Sequence, residues 1–333
     1  MTTATVPIAL PMLRPYPQRV VDPWRPLAMR RLTAVWRAAS TVPFDDASRI
    51  VFFSDCHRGD NSRADAFARN EPLFLGALEN YYAQGYTYVE VGDGDELWQN
   101  PRMDDIRRAH PATFDLLHRF DREGRLHLLL GNHDLYGRAG HRVEKAGLVA
   151  HEGLILRHRC TGQQIFAVHG HQADIQSDRL HPLSQFVVRS IWKRILLLRT
   201  CSPNYERALS RVSLIEQRIA AWAAHHRQIV VCGHTHRPAV PTVPQSAAYF
   251  NTGSCVYPGY ITGLEIQEGN ILLVRWLAHP ETGAGEGLHL QRELLAPPQK
   301  LVALASSDRH SCQVLHSAGS GSPSAQIRAG VAW

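Results

Sequence analysis

The sequence predicts an α/β fold with a largely parallel central sheet. Short apolar runs typical of buried strands alternate with helix-like segments between residues 49 and 232. Polar motifs follow most of these runs at their carboxyl ends, where ligands bind in open α/β sheets. From residue 247 onward, strand-like runs follow one another without helices between them, which indicates a second, antiparallel sheet.

The first 48 residues are predicted to be an extension that precedes this fold. Residues 1–24 are rich in proline and are expected to be extended or poorly ordered. Residues 26–40 place apolar side chains at helical spacing, with arginines at other positions. This pattern predicts a basic amphipathic helix that either touches a membrane or partner, or packs on the core.

Residues 49–277 carry the elements of the main domain. The predicted strands of the alternating part lie at residues 49–54, 86–91, 126–130, 154–158, 164–168 and 228–232. The predicted helices of this part lie at residues 64–84, 111–121 and 205–226. A Thr161-Gly162 turn is expected to join two of the strands into a hairpin, because both residue types favour turns.

Two further segments depart from the alternating pattern. Residues 175–226 are a predicted helical insertion, in which 183–200 mixes apolar and basic side chains and 205–226 has one apolar stripe. Such an insertion either covers the site as a cap or fills out the fold. Residues 278–333 contain stretches rich in glycine and serine and are expected to form a flexible tail.

Composition limits the classes of function. The 333 residues carry a net charge of +6, which favours anionic partners such as phosphates. Six scattered cysteines without a C-x-x-C pair indicate a reduced, cytoplasmic protein. The chain has no apolar run long enough to span a membrane, and Pro7 and Pro11 interrupt the sole signal-peptide candidate.

Five short polar motifs carry the chemistry. They are Asp55-Cys56-His57, Gly92-Asp93, Gly131-Asn132-His133-Asp134, His169-Gly170 and Gly233-His234-Thr235-His236. Together they supply carboxylates, an amide oxygen and imidazoles, the mixed set that manganese, iron or zinc accepts. Each motif alone also fits a turn or a cap. In combination they predict two divalent ions that activate a water and hold a phosphoryl group.

Residues next to these motifs are further candidates. His133 would donate to a phosphoryl oxygen or protonate a leaving group. Either Asp95 or Glu96 would accept a hydrogen bond from a ligating imidazole and orient it. His169 is preferred over His171 as a metal ligand because it directly follows its strand. His171 either contacts phosphate or is solvated.

In this order, the five motifs resemble those of the calcineurin-like metallophosphoesterase superfamily, over about residues 49–277. The resemblance implies a two-sheet αββα sandwich with a helical insertion and a dinuclear metal site at the sheet edge. It implies that one ion is held by Asp55, His57, Asp93 and His236. It assigns the other ion to Asp93, Asn132, His169 and His234, so that Asp93 bridges. His133 would face the substrate, and the further candidate substrate contacts are Arg58, His171 and Arg237.

A narrower resemblance concerns the motif Gly92-Asp93-x-x-Glu96-x-Trp98, the helical insertion and Gly233-His234-Thr235-His236-Arg237-Pro238. These features are similar to the UDP-diacylglucosamine hydrolase branch, which cleaves a pyrophosphate bond in a lipid-linked sugar nucleotide at the membrane surface. The chain departs from that branch at His133, His171 and Arg58, where the branch has arginine, aspartate and an apolar residue.

The expected reaction is direct hydrolysis of a phosphoester or pyrophosphate by a hydroxide that bridges two divalent ions. Manganese is the favoured metal, with iron or zinc as alternatives. The first substrate class is a small phosphorylated molecule, either a lipid-linked UDP-sugar with peripheral membrane contact or a nucleotide. The alternative is a phosphoprotein phosphatase, nucleotidase or phosphodiesterase of the same fold.

Two other roles are less favoured. A non-catalytic binding module would be expected to lack some of the ligands, whereas all seven candidates are present in this chain. A nucleic-acid partner gains support only from the net charge, because the sequence has no basic stripe interleaved with aromatic residues.

Overall fold

The computed structural model describes residues 22–134, 143–174, 203–241, 248–280 and 288–301. The helices are α1 (Arg25–Ala38), α2 (Glu71–Ala83), α3 (Met103–Ala109), α4 (Pro111–Arg122) and α5 (Pro203–His226), and a short 3₁₀ helix spans His171–Ala173. The strands are β1 (Ser40–Phe44), β2 (Ile50–Phe53), β3 (Thr87–Val91), β4 (Leu126–Leu129), β5 (Val143–Lys145), β6 (Leu148–His151), β7 (Gly153–His158), β8 (Gln164–Val168), β9 (Ile229–Cys232), β10 (Tyr249–Asn251), β11 (Tyr260–Gln267), β12 (Asn270–Pro280), β13 (Leu288–Leu294) and β14 (Gln299–Lys300).

These strands pair into two mixed sheets. The nine-stranded sheet has the order β13-β12-β11-β2-β3-β4-β6-β5, with β14 also paired to β12. Its centre, from β2 to β6, is parallel. The five-stranded sheet has the order β1-β7-β8-β9-β10, in which β7 and β8 form an antiparallel hairpin and the other pairs are parallel. The hairpin around Thr161-Gly162 is therefore confirmed.

The β2 strand shows how the layers form. Phe52 and Phe53 are both fully buried, because successive side chains of a strand point to opposite faces. Phe52 lies in the apolar cluster shared with the five-stranded sheet. Phe53 packs on the other side against Phe74 and Tyr81 of α2. A strand buried on both faces explains why the sequence reads as a continuous apolar run.

Helices cover the outer face of each sheet, which confirms the two-sheet αββα architecture. Helices α2, α3 and α4 pack on the nine-stranded sheet. Helices α1 and α5 cover the five-stranded sheet, where Leu32 and Val35 meet Ile219 and Trp222. The helix expected over 26–40 therefore packs on the core. No helix in the described part of the chain is long and apolar enough to cross a membrane.

Two predictions about sheet assignment were wrong. β11 and β12 do not form a separate sheet, because β11 pairs antiparallel with β2 and extends the larger sheet. β8 and β9 do not belong to the same sheet as β2, β3 and β4. Alternation of apolar residues identifies a strand but does not tell which sheet edge it joins, so these assignments depend on the tertiary structure.

The proposed ends of the domain also need correction. Residues 278–333 were expected to be flexible, yet β13 pairs in register with β12, and β14 pairs with its other end. At the amino-terminal end, β1 lies within the supposed extension and pairs with β7. The strand β13 was not predicted, because the glycine-rich residues before it indicated a flexible tail. The Pro-rich residues 1–21 and the predicted helix over 183–200 lie outside the described residues.

Candidate metal centre

The five motifs meet at one edge of the two sheets. Each follows the carboxyl end of β2, β3, β4, β8 or β9, and parallel strands bring these ends together. Backbone hydrogen bonds join the loops directly. The amide of Asp55 donates to Gly92 O at 3.0 Å, and the amide of His57 donates to Asp93 O at 2.9 Å. The amide of Gly233 donates to His169 O at 3.0 Å, so loops from both sheets share one site.

One group of potential ligands contains Asp55, His57 and His236, whose donor atoms all lie within 4.8 Å of one another. Asp55 Oδ1 is 3.0 Å from His236 Nε2 and 3.8 Å from His57 Nε2. The two imidazole Nε2 atoms are 3.3 Å apart. These separations are suitable for three atoms that converge on one cation.

A second group contains Asp93, His169 and His234. Asp93 Oδ2 is 3.1 Å from His169 Nε2, and the same oxygen is 3.8 Å from His57 Nε2 in the first group. Asp93 therefore lies between the two groups, where a carboxylate can bridge two ions. Asn132 adjoins this group through its neighbour His133, whose amide donates to Asp93 Oδ1 at 2.7 Å.

The buried polar atoms of the site fit a divalent metal. Asp55 Oδ1, Asn132 Oδ1 and His169 Nε2 have no hydrogen-bond partner among the described residues. The contact between His169 Nε2 and Asp93 is short but lacks hydrogen-bond geometry. An unsatisfied buried polar group costs about 1–3 kcal/mol. Two cations, one at each group, would satisfy these three atoms, so the residues present match the metal ions that the motifs imply.

The backbone of the site adopts an unusual conformation. Nine non-glycine residues in the described ranges have a positive φ, and five of them are candidate ligands: Asp55 (54°), His57 (49°), Asp93 (50°), His234 (66°) and His236 (52°). Residues in this region carry a conformational cost of about 1–3 kcal/mol each and cluster at functional sites. After β2, β3 and β9, this left-handed conformation directs the polar side chains toward the centre of the site.

Two motif glycines allow the loops to approach one another. A Cβ atom on Gly131 would overlap with Asp93 Oδ1 and with its backbone nitrogen. A Cβ atom on Gly233 would overlap with Ser54 Oγ and Asp55 Oδ2. Both positions therefore require glycine for steric reasons.

The charges of the site favour a cation. Burial would raise the pKa of Asp55, but the imidazoles of His236 and His169 lower it to about 2. Burial would lower the pKa of His57, but the hydrogen bond to Glu96 and the charge of Asp93 raise it to about 9. The Asp55 carboxylate thus remains ionised, and His57 holds its proton more tightly than an ordinary histidine. A bound metal ion would displace that proton and neutralise the carboxylates in its place.

Glu96, and not Asp95, is the acidic residue that orients a candidate ligand imidazole. Its carboxylate accepts from Nδ1 of His57 at 3.1 Å and from Nδ1 of His133 at 2.9 Å. Trp98 stacks on His133 with ring centroids 4.0 Å apart. Glu96 therefore orients both imidazoles, whereas Asp95 pairs with Arg58 beneath the site. His133 also forms a third group of potential metal ligands with His57 and Asp93, whose donor atoms lie within 4.8 Å of one another.

The three candidate substrate contacts differ in their placement. Arg58 is 1% exposed, and its guanidinium donates to Glu90 and Asp95, so its prediction as a substrate contact was wrong. The buried Glu90 carboxylate needs a counterion, which draws this arginine inward. The His171 ring lies beside His169, with ring centroids 5.5 Å apart. Arg237 is 24% exposed and donates to Glu216. The latter two remain candidates.

Two residues that the sequence analysis did not single out contact the site. Asp174 Oδ2 lies 3.4 Å from His234 Nε2, and Arg211 of α5 donates to both oxygens of Asp174. The signal for Asp174 in the sequence is its position five residues after His169, at the end of the same loop. Nothing in the sequence pairs it with Arg211, which lies 37 residues away.

A comparison with models of known protein families agrees with this geometry. A family model described as calcineurin-like phosphoesterase matches residues 48–238, a range that includes all five motifs. Among solved structures, the crystal structure of Chaetomium thermophilum Vps29 is similar over 74% of this chain and 98% of that chain, with 13% sequence identity and a TM-score of 0.34. No curated protein matches the sequence significantly.

Proposed function

The chain belongs to the calcineurin-like phosphoesterase family, and from this membership we propose that it hydrolyses phosphoester or pyrophosphate bonds with two divalent ions at the sheet edge. The family implies metal-dependent phosphoesterase activity in general, with divalent metals as cofactors. The observation that carries the dinuclear proposal is the position of Asp93 between two groups of potential ligands.

We assign one ion to Asp55, His57, Asp93 and His236, and the other to Asp93, Asn132, His169 and His234. The short contacts among the first group and the unpartnered oxygens of Asp55 and Asn132 support this assignment. Manganese is the proposed metal, with iron or zinc as alternatives, because carboxylate, amide and imidazole ligands suit these ions.

Two bound ions would supply Lewis-acid polarisation of the phosphoryl oxygens and a water of lowered pKa. The side chains of the protein then orient the substrate around them. His133 is fixed by the Glu96 hydrogen bond and by stacking on Trp98, which leaves its Nε2 to face the leaving oxygen. Arg237, whose Nη1 donates to Glu216, and His171 would provide further contacts to the phosphoryl oxygens.

For the substrate, we propose a pyrophosphate bond in a lipid-linked UDP-sugar, cleaved by a cytoplasmic protein at the membrane surface. The motif Gly92-Asp93-x-x-Glu96-x-Trp98 supports this class, because it is similar to the motif of the UDP-diacylglucosamine hydrolase branch. His133 and His171, where that branch has arginine and aspartate, favour the alternative of a nucleotidase, phosphodiesterase or phosphoprotein phosphatase. The substrate panel described next distinguishes these classes.

The full-length protein with added Mn²⁺ should be assayed on a phosphomonoester, a phosphodiester, a UDP-sugar and its acylated form. We expect turnover of at least one substrate that EDTA abolishes and Mn²⁺ restores. Preference for the acylated UDP-sugar in detergent micelles would support the lipid-linked substrate. Preference for a water-soluble monoester or diester would contradict it and favour the alternative class.

The variants Asp93→Asn and His234→Ala test the assignment of ligands. Both should lose at least about 100-fold in turnover while they keep the far-UV circular dichroism of the wild type, because each removes a metal ligand. Glu268→Gln, on the turn between β11 and β12, is a matched control that should keep full activity. Metal-dependent turnover retained in both ligand variants would overturn the proposal.

A further inference from the structure

A row of three side chains connects helix α5 to the second group of ligands. Nη2 of Arg211 donates to Asp174 Oδ1 at 2.7 Å and to Oδ2 at 2.6 Å, and its Nε donates to Oδ1 at 3.2 Å. Asp174 Oδ2 then lies 3.4 Å from Nε2 of His234. Asp174 is 5% exposed, so its carboxylate is paired away from bulk water.

The turn that carries Asp174 is held from two directions. Its own amide donates to His171 O at 2.8 Å, at the end of the 3₁₀ helix that follows His169. A second arginine of α5, Arg218, donates to Ala173 O at 2.8 Å. The position of the Asp174 carboxylate is therefore determined by both the ligand loop and the helix.

Three of the four candidate imidazole ligands, His57, His169 and His234, have one nitrogen beside an acceptor that is not itself a candidate ligand. In His57 this nitrogen is Nδ1, held by Glu96, and in His169 it is Nδ1, held by Val91 O at 2.8 Å. Both rings therefore present Nε2 to the centre. In His234 the pattern is reversed, because Nε2 faces Asp174 and Nδ1 is left for the second group of ligands.

We propose that Asp174 is a positioning residue of the metal centre: it accepts the Nε2–H of His234 and so directs Nδ1 to the second ion, while Arg211 fixes the carboxylate. This inference rests on the proposed role of His234 as a metal ligand. A carboxylate that fixes the tautomer and orientation of a ligating imidazole raises the metal affinity of the site. The Arg211 charge balances that of Asp174, which keeps the carboxylate directed at the imidazole.

The proposal gives the helical insertion a role in the metal centre. Helix α5 forms its carboxyl-terminal part and packs on the five-stranded sheet through Ile219 and Trp222. The same helix provides Arg211 and Arg218 to the turn beside His234. This helix thus supports the candidate ligands and also packs on the core.

Metal titration of the full-length protein tests the inference without an activity assay. We expect two Mn²⁺ ions per wild-type chain by calorimetry, with Asp174→Asn weakening one of the two sites about 10–100-fold. Arg211→Gln should weaken the same site to a smaller extent, and it is suitable because its side chain is 44% exposed and its removal leaves the core intact. Arg275→Gln, which breaks the ion pair with Glu293 on β12 and β13, is the matched control and should bind as the wild type does.

The titration separates the inference from the proposed function. If His234→Ala loses one site while Asp174→Asn binds both ions with wild-type affinity, the inference is overturned and the proposed function stands. If the wild type itself binds fewer than two ions, both fail.

Nitrogen-15 NMR of wild-type protein loaded with Zn²⁺ needs no variant to fold. It should show His234 bound through Nδ1 with its proton on Nε2, whereas His57 and His169 should be bound through Nε2. Ligation of His234 through Nε2 would overturn the inference.

Discussion

The guanidinium of Arg58 donates to both carboxylate oxygens of Glu90, at 2.7 and 2.8 Å, and both side chains are buried. Nε of Arg58 also donates to Asp95 at 2.8 Å. Lys145 Nζ lies 2.6 Å from both Asp95 and Asp134. This buried network joins the loops after β2, β3 and β4 directly beneath the candidate metal centre.

The network also fixes the backbone of the ligand loops. Asp134 accepts the amide of Gly131 at 2.8 Å and the amide of Asp95 at 3.1 Å. The loops that carry Asp55, Asp93 and Asn132 are thereby held at fixed separations. The charges below the site thus help to position the candidate ligands.

Breaking this network should be costly. Arg58→Met leaves Glu90 and Asp95 buried without their counterion, and we expect a loss of about 3–5 kcal/mol in the free energy of unfolding, measured by urea denaturation. Arg108→Met removes an exposed ion pair with Asp105 and should change stability by less than about 1 kcal/mol. Equal effects of the two variants would show that the buried network does not stabilise the fold.

Metal binding should require glycine at position 131, because any side chain there would overlap with Asp93. Gly131→Ala places a methyl group against Asp93, so we expect its Mn²⁺ affinity and turnover to fall at least about 10-fold. Gly162→Ala is the contrasting variant, since Gly162 lies in the hairpin turn with φ of 69° and open space around it. It should cost about 1 kcal/mol of stability and leave metal binding unchanged. Normal Mn²⁺ affinity in Gly131→Ala would contradict this explanation.

Stability should decline at alkaline pH because of His110. Its Nε2 lies 2.8 Å from Asp65 and its Nδ1 lies 2.9 Å from Glu71. Burial opposes protonation, but these carboxylates raise the pKa of His110 to about 9. An unfolded histidine has a pKa of about 6.5, so the folded state binds this proton more tightly. The resulting stabilisation is complete below pH ~6.5 and is lost as the pH rises to about 9.

We expect this contribution to be about 2 kcal/mol, allowing for solvent screening at Glu71, whose side chain is 18% exposed. Urea denaturation of the wild type and of His110→Gln between pH 6 and 9.5 measures it. The difference in unfolding free energy between the two proteins should shrink as the pH rises. A difference that stays constant over this range would exclude the charged form of His110 as the cause.

Metal should stabilise the folded protein by mass action. Mn²⁺ at 100 times its dissociation constant is expected to add about 2.7 kcal/mol to the free energy of unfolding, which thermal denaturation detects as a higher Tm. EDTA should reverse the rise. Asp93→Asn should show little or none of it, because this residue contacts both ligand groups. A rise in Tm of equal size in Asp93→Asn would indicate that the metal binds elsewhere.

The sequence by itself indicated the candidate ligands and most of the elements that carry them. Buried strands read as apolar runs, and the polar residue that follows each run, such as Asp55 after β2 or His169 after β8, marks the carboxyl end of a strand. These are local signals, since the side-chain alternation and the turn after a strand depend on neighbouring residues. The hairpin of β7 and β8 and the helix α5 were predictable for the same reason.

The tertiary structure alone decided which strands share a sheet and which charges pair. The placement of β11 beside β2, the burial of Arg58 and the contact of Asp174 with His234 all join residues that are distant along the chain. The strand β13 pairs with the nearby β12, but the glycine-rich residues before it had indicated a flexible tail. The long-range pairings depend on crossover connections and on buried charges that find partners on other loops, and neither leaves a pattern in the local sequence.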